Sequence, residues 1–300
     1  MITHKHLRTV IEDIYLNGNE ITENLLLKLI NEFRYSNLYI PAKRSDGELN
    51  FIIYEDEGMK FTPLFTDLDE FHKFFKEGEI EALNNTFELY QNILKTTEIE
   101  GYILNPSSEK YLFKKEFILS IKDVPKTFFY SNDPYTSDEL KKIMDSINNS
   151  DLEEFIKNRQ NIGDYEGLFE RLSNSDILTL MVSDIDLKDR MVNGIVDMQK
   201  TGPLAGMFLD NVGGVYATIF SAKDKIQNVK TPKFKYAQIV NLATLVNFVL
   251  TEDMDGIVLN PESDNVLIPR SKLLNYSLGF ERFANDEKLS ASMYYLFELR

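Results

Sequence analysis

The chain has 300 residues, with 33 Lys+Arg against 48 Asp+Glu, a formal net charge of −15 and a pI near 4.8. So acidic a chain lacks the basic excess that displaces counterions from phosphates, which argues against sequence-independent nucleic-acid binding. It has no cysteine, hence no disulfide framework, no thiolate nucleophile and no Cys-ligated zinc or iron–sulfur cluster.

The N-terminal residues MITHKHLRTVIEDIYLNGNE hold no apolar core of a secretory signal. The longest apolar-rich stretch, residues 239–250, is interrupted by Asn241, Thr244 and Asn247. It falls short of the roughly 20 residues that span a bilayer. A cytoplasmic protein with no membrane segment is expected, and length suggests about two domains.

In chain order, HLRTVIEDIYL and TENLLLKLINEF read as helices and LYIPA as a strand. LNFIIY and MKFTPLF are β-rich runs around Gly58, the pattern of a hairpin whose glycine takes a left-handed turn position. Phe65 ends the second run. Thr66-x-x-Asp69 then has the form of a capping box, with Leu68, Phe71 and Phe75 on the buried face of the helix behind it. The short strand EIEALN leads to Thr86, a suitable N-cap, and to a helix burying Phe87, Tyr90 and Leu94. That helix stops near Gly101. Strand YILN follows and ends at Asn105-Pro106, where asparagine favours a turn and proline cannot continue a ladder. YLF pairs back.

The order then repeats. SDELKKIMDSINN and GDYEGLFERL read as helices, and LAGMFL and GVYATIF as a hairpin about Gly213. Phe220, Ser221-x-x-Asp224, KFKYAQI, the Asn241-capped helix with Leu242, Leu245, Val246, Val249 and Leu250, then Gly256, IVLN and Asn260-Pro261 complete the series. At an offset of 155, residues 49–119 align without a gap on 204–274 with 14 identities. Roughly four would arise by chance. Upstream, residues 33–40 resemble 172–179, so the second copy carries 16 more residues, within 183–203, including the loop-like DIDLKD. The turn-rich SNDPYTSDE marks the junction. The expected organisation is α+β: two tandem mixed-sheet domains over 1–132 and 133–300, each with preceding helices, a β-hairpin and a helix–strand continuation. The second has the longer loop near 184–203 and a tail, YSLGFERFANDEKLSASMYYLFELR, read as a turn plus a terminal helix.

LYIPA, FTPLFTDLDEF, TFELYQNIL and GYILNP, taken together, resemble the SseB N-terminal domain family, named for an enhanced-serine-sensitivity phenotype. The match covers roughly residues 25–119, with a more divergent one over roughly 165–274. Two such domains in one chain depart from the family's usual arrangement, and no distinct family C-terminal domain is seen. The resemblance implies an α+β fold in a soluble prokaryotic protein and brings no established reaction and no catalytic residues. The positions that carry it are Phe65, Asp69, Gly101, Asn105 and Pro106, with Phe220, Asp224, Gly256, Asn260 and Pro261 in the second copy.

Chemistry is sparse. Asp69 and Asp224 are the only identical titratable pair, and capping accounts for them. His4 and His6 have the spacing of a weak metal pair but lie at the chain end, unsupported by a nearby histidine or cysteine; His72 is matched by Gln227. TTEIEG and TEDMDG place carboxylates before Gly101 and Gly256 without the spacing of a calcium loop, and read as solvated turns. No phosphate-binding glycine loop, nucleophile elbow or HExxH sequence occurs. No catalytic residue, cofactor or metal is expected. The favoured reading is a non-catalytic interaction or adaptor protein whose partner is another protein, or a further copy of itself, and neither nucleic acid nor a membrane. The alternative is a small-ligand binder or carboxylate-based hydrolase with a cleft between the two copies.

Overall fold

The computed structural model describes residues 3–45, 47–56, 58–76, 78, 80–121, 136–158, 163–198, 201–202, 204–206, 208–211, 213–227, 229, 234–277 and 295–299. The chain divides into two compact units, Met1–Asp123 and Val124–Arg300, except that Thr251–Asp253 groups with the first. The 132/133 junction expected from sequence lies outside the described residues.

The first unit opens with α1 (Lys5–Leu16) and α2 (Glu23–Tyr35). Leu7, Val10, Ile11 and Ile14 give α1 one buried stripe, the i, i+3, i+4, i+7 spacing of a core-facing helix. The Thr22 hydroxyl accepts from the Leu25 N–H and starts α2. There follow β1 (Leu38–Ser45), β2 (Glu48–Phe51), β3 (Tyr54–Asp56), β4 (Met59–Leu64), α3 (Leu68–Phe74), β5 (Glu81–Asn85), α4 (Phe87–Thr96), β6 (Gly101–Leu104), β7 (Tyr111–Lys114) and α5 (Lys115–Ser120). One sheet has the order β2-β1-β5, all antiparallel. The other has the order β3-β4-β6-β7, with β4 and β6 parallel. The two meet at a bridge between Tyr39 and Phe65. Helices α1, α2 and α4 cover them through Leu29, Phe33, Leu64, Tyr90, Tyr102 and Phe113, with the Phe33 and Phe113 rings stacked at 4.2 Å.

The second unit repeats this order with a third leading helix, at Ser150–Lys157, that the sequence reading did not assign, and with two added strands. It holds α6 (Ser137–Asp145), α7 (Ser150–Lys157), α8 (Tyr165–Ser173), β8 (Ile177–Ser183), β9 (Ile195–Asp197), β10 (Leu204–Gly206), β11 (Phe208–Asn211), β12 (Gly214–Ile219), α9 (Lys223–Gln227), β13 (Tyr236–Val240), α10 (Leu242–Thr251), β14 (Gly256–Leu259), β15 (Val266–Pro269), α11 (Arg270–Ser277) and β16 (Tyr295–Glu298). Its sheets run β10-β8-β13-β16-β9 and β11-β12-β14-β15, with β12 and β14 parallel and a bridge from Leu178 to Phe220. The α+β class and the hairpin-then-helix–strand order read from sequence are therefore present in both units, but the runs LNFIIY and LAGMFL are each split: β2 and β10 pair with β1 and β8, and only β3 and β11 form the hairpins with β4 and β12.

Two expectations need correction. The 183–203 insertion is more than loop: it forms a 3-10 turn at Lys188–Arg190 and strand β9. The tail, read as helical, ends in strand β16, which pairs β13 on one side and β9 on the other; residues 278–294 lie outside the described residues. Neither strand was visible locally because each is only three or four residues long and is stabilised by neighbours distant in sequence. Alternation sends Phe297 into the cluster of Leu180, Ile226 and Ala237, and Leu296 into that of Leu187, Val196 and Tyr236.

Gly101 and Gly256 begin the parallel strands for a steric reason. A Cβ there would lie 2.2 Å from the backbone oxygen of Phe113 or Ile268 on the neighbouring strand. No other residue fits without moving β7 or β15.

Candidate functional site

Of the sequence-derived positions, Phe65, Asn105 and Pro106, and likewise Phe220, Asn260 and Pro261, meet at one corner in each unit, where the inner parallel strand ends, whereas Gly101 and Gly256 stand at that strand's other end. Asn105 follows β6, is fully buried, and takes a left-handed φ of 42°. Asparagine tolerates that conformation better than a β-branched or bulky residue. Its N–H donates to the Leu64 carbonyl at 2.8 Å, and its own carbonyl accepts from Ser108 and Lys110 at 2.9 and 3.0 Å, which closes the turn containing Pro106. The side chain joins two strands: Oδ1 accepts from the Thr66 N–H at 3.0 Å, and Nδ2 donates to the Thr66 hydroxyl at 3.0 Å and to Glu109 Oε2 at 2.8 Å.

Asn260 does the same after β14. It is fully buried, with φ 52°. Its N–H donates to the Ile219 carbonyl at 2.8 Å, its Oδ1 accepts from the Ser221 N–H at 2.9 Å, and its Nδ2 donates to the Ser221 hydroxyl and Asp264 at 2.8 Å each. Pro261 follows in the turn. Phe65 and Phe220, both fully buried, precede the hydroxyl residues and make the bridges that join the two sheets.

The capping-box reading of Asp69 and Asp224 is overturned. The N-cap of α3 is Asp67, whose Oδ1 accepts from the Glu70 N–H at 2.8 Å while Oδ2 accepts from the Thr66 hydroxyl at 2.9 Å. Asp69 is exposed on the outer side of the first turn, and so is Asp224. In the second unit Ala222 stands where Asp67 does and has no acceptor to offer. The hydroxyl residues are engaged by the asparagines, so they do not serve as caps.

Around Asn105, three carboxylates are largely withdrawn from solvent: Asp67 at 3% and Glu70 at 1% exposed, and the Glu109 side chain at 8%. Burying three negative charges together is costly unless cations answer them. Arg8 of α1 does so, 2.6 Å from Glu109 and 3.6 Å from both Asp67 and Glu70. Lys73, on the next turn of α3, reaches Glu70 at 2.5 Å. The Ser108 hydroxyl donates to the other oxygen of Glu70 at 2.6 Å. The hydrogen bond to Glu70 holds the Lys73 ammonium above its ordinary pKa.

The second corner uses opposite signs. Lys225 stands where Glu70 does, and its ammonium donates to Asp264, the counterpart of Glu109, at 2.8 Å. Glu153 of α7 accepts from the Ser221 hydroxyl at 3.1 Å. Burial would raise the Asp264 carboxyl, but the hydrogen bonds from Lys225 and Asn260 outweigh it and leave the pKa lowered. The bond to Asp264 raises Lys225.

The basic residue that opens the last helix in each unit also recurs. Lys115 donates to the Thr97 carbonyl at 3.0 Å. Arg270, 6% exposed, donates to the carbonyls of Val249, Leu250 and Met254. Each cation closes the C-terminal end of the preceding helix, where the dipole favours positive charge.

The remaining sequence candidates scatter. His4, expected in a loose chain end, is buried at the start of α1 with its Nε2 2.9 Å from the Asn37 carbonyl. His72 is exposed, edge-on to Phe71. Asp255 Oδ2 accepts from the Val215 N–H at 2.6 Å, and Glu98 is exposed beside Lys60. Among the described residues, no three histidine, aspartate or glutamate side chains converge to hold a metal ion. Sequence reading missed Arg8, Asp67, Glu70 and Glu109 because they are not identical in the second half. The signal that could have found Glu70 and Glu109 is charge placed four residues after the recurring hydroxyl and asparagine, at Glu70 and Lys225 and at Glu109 and Asp264; Arg8 and Asp67 carry no such signal.

The second unit also has a cleft of about 1120 Å³. Leu180, Ile226, Phe234 and Phe297 line it with apolar surface, and Lys141, Lys223, Asp145 and Glu298 stand among its polar residues. Lys223 and Asp145 pair there at 2.9 Å, which holds the Asp145 carboxyl below its usual value. Among the described residues no helix is long and apolar enough to cross a membrane. No family model matches the chain, and neither a curated protein nor a solved structure matches it.

Proposed function

We propose that the chain is a non-catalytic interaction protein of the cytoplasm, made from two copies of an SseB-like unit that diverged after an internal duplication. One observation carries the reading. The asparagine–hydroxyl bonds are the same in both corners, whereas the charges beside them are exchanged: Arg8 and Glu70 against Glu153 and Lys225. A proton-transfer group must keep its chemical identity and reach a substrate. A structural ion pair needs only that its charges balance, and an exchange of sign preserves that. The net charge of −15 favours a partner with a basic surface.

The cleft of the second unit supports a second reading, a small-ligand binder, since its apolar lining and few charged groups have the character of ligand pockets. Affinity capture of the full chain from native extract, with mass spectrometry of proteins and metabolites, separates the two. A stoichiometric protein partner retained by wild type supports the interaction reading. A stoichiometric metabolite released on denaturation, lost in Phe297→Ala and accompanied by no protein, overturns it in favour of the second.

A further inference from the structure

Strands β10, β8 and β13 of the second unit repeat the order β2-β1-β5 of the first, and β16 and β9 extend that sheet beyond β13. The two added strands come from different places, β9 from the insertion and β16 from the tail. Their order decides how each is held. One side of β13 pairs with β8 and the other with β16, and the far side of β16 pairs with β9. Both sides of β13 are taken, so β9 is joined to it through β16.

Backbone alternation divides the bonds of β16 between its neighbours. The Leu299 N–H donates to the Lys235 carbonyl at 2.8 Å, and the Glu298 N–H donates to the Gly194 carbonyl at 2.7 Å. By the same parity Phe297 turns its N–H toward β13, and Leu296 turns its own toward Val196 of β9. The side chains divide as well. Phe297 enters the cluster of Leu180, Ile226 and Ala237, which Ile195 of β9 also joins. Leu296 enters the cluster of Tyr236 with Leu187 and Val196 of the insertion. Undocking β16 therefore takes from β9 its ladder to the sheet and the apolar neighbours Leu296 and Phe297. Undocking β9 leaves β16 its ladder with β13 and leaves Phe297 packed in the sheet's own cluster.

The extension is held by less than the sheet it extends. The register of β13 with β8 has five residue pairs, that with β16 has three, and that of β16 with β9 has three. Segments with fewer backbone bonds and buried contacts open at lower free energy than the rest of a fold. Gly194, Ile195, Phe297 and Leu299 also line the cleft of this unit, so part of its wall stands on these two strands.

We infer that β16 is a latch for the insertion: its undocking frees β9 and that wall of the cleft together, β9 leaves by itself while β16 stays, and the sheet common to both units remains folded through both steps. The latch is a property of the second unit alone and does not rest on the interaction reading above.

Amide hydrogen exchange of the full chain, followed residue by residue by NMR in rising urea, tests this order. The Val196 amide reports the β9 side of the latch, the Phe297 amide its β13 side, and the Thr179 and Gln238 amides the common sheet. In the wild type, Val196 should be no better protected than Phe297, and both should be protected about ten-fold or more weakly than Thr179 and Gln238. Leu296→Asp puts a carboxylate into an apolar cluster. It should bring Val196 and Phe297 to within about ten-fold of unstructured amides, with Thr179 and Gln238 still protected. Val196→Asp should strip Val196 and leave Phe297 protected. Val196 better protected than Phe297 in the wild type, or still protected in Leu296→Asp, would overturn the proposal, because β9 would then be held without β16. Phe297 stripped in Val196→Asp would overturn it too, since the strands would then leave as one block. So would Phe297 opening at the same free energy as Thr179 in the wild type, or Thr179 and Gln238 stripped in Leu296→Asp, either of which would make β16 integral to the common sheet.

Discussion

Arg8 and Glu153 occupy the same place in their units and carry opposite charge. The residues four positions earlier establish the equivalence: His4 meets the Asn37 carbonyl at 2.9 Å, and Asn149 donates to the Asp176 carbonyl at 2.7 Å. Asn37 and Asp176 both stand just before the first strand of a sheet. From those anchors one helical turn brings Arg8 to the carboxylates around Asn105, and Glu153 to Ser221 and the neighbourhood of Lys225.

The exchange can be tested as a cycle. Arg8→Glu would set a fourth carboxylate beside Asp67, Glu70 and Glu109, and Glu70→Lys would set a third cation beside Arg8 and Lys73. Each single change should cost about 2 kcal/mol. The double variant, which copies the second corner, should recover stability with a coupling of about 1–3 kcal/mol in urea melts. Strict additivity would show that the groups act independently.

Asn105 and Asn260 should be the most sensitive polar positions. Asn105→Ala leaves the buried Thr66 N–H without its acceptor and puts alanine at a positive φ; about 3 kcal/mol is expected. Asn105→Gly removes only the backbone part of that cost and should be milder. Asn260→Ala should match Asn105→Ala. Equilibrium denaturation of the four proteins, wild type included, orders these effects.

The corrected cap gives a contrast within one turn. Asp67→Ala should lose about 1–2 kcal/mol, because its carboxylate starts α3 and also meets Arg8. Asp69→Ala, at an exposed site, should change stability by no more than about 0.5 kcal/mol. Equal losses at both positions would restore the capping box.

The Lys225–Asp264 pair sets a pH window. Asp264 has a lowered pKa in the folded protein, so its contribution is present above the unfolded value of about 4 and is lost as pH falls through the folded one. Lys225 has a raised pKa, so its contribution is complete below about 10.4 and is lost as pH rises through the folded value. Lys225→Met should cost about 1 kcal/mol at neutral pH, and the difference from wild type should shrink below about pH 4. Urea midpoints measured from pH 3 to 8 test the acid side.

Strand β16 predicts a large effect from a residue near the chain end. Phe297 is 3% exposed and packs with Ile226, Ala237 and Phe220. Phe297→Ala should cost about 3–4 kcal/mol, measured by thermal or urea unfolding. A change within about 0.5 kcal/mol would mean that the tail is not part of the folded unit.

Local pattern was enough for most helices, though not for α5, α7 or α11, for the presence of a hairpin about Gly58 and Gly213, and for the turns at Asn105 and Asn260. Helical stripes such as Leu7, Val10, Ile11 and Ile14, and the recurrence of Gly101 and Gly256, are written in short stretches of sequence. The charged half of each corner was not legible. Arg8, the pair Asp67 and Glu70, and Glu109 come from three separate places in the chain, and their balance matters more than their identity.

The amino-acid sequence by itself determined the α+β class, the order of the elements common to both units and the asparagine at the end of each inner strand, because these depend on neighbours a few residues apart. Only the tertiary structure decided that Asp67 and not Asp69 starts α3 and that the tail ends in a strand. Hydrogen bonds and ion pairs between groups distant along the chain settle such choices. Their cost or gain depends on burial, which no local pattern reports.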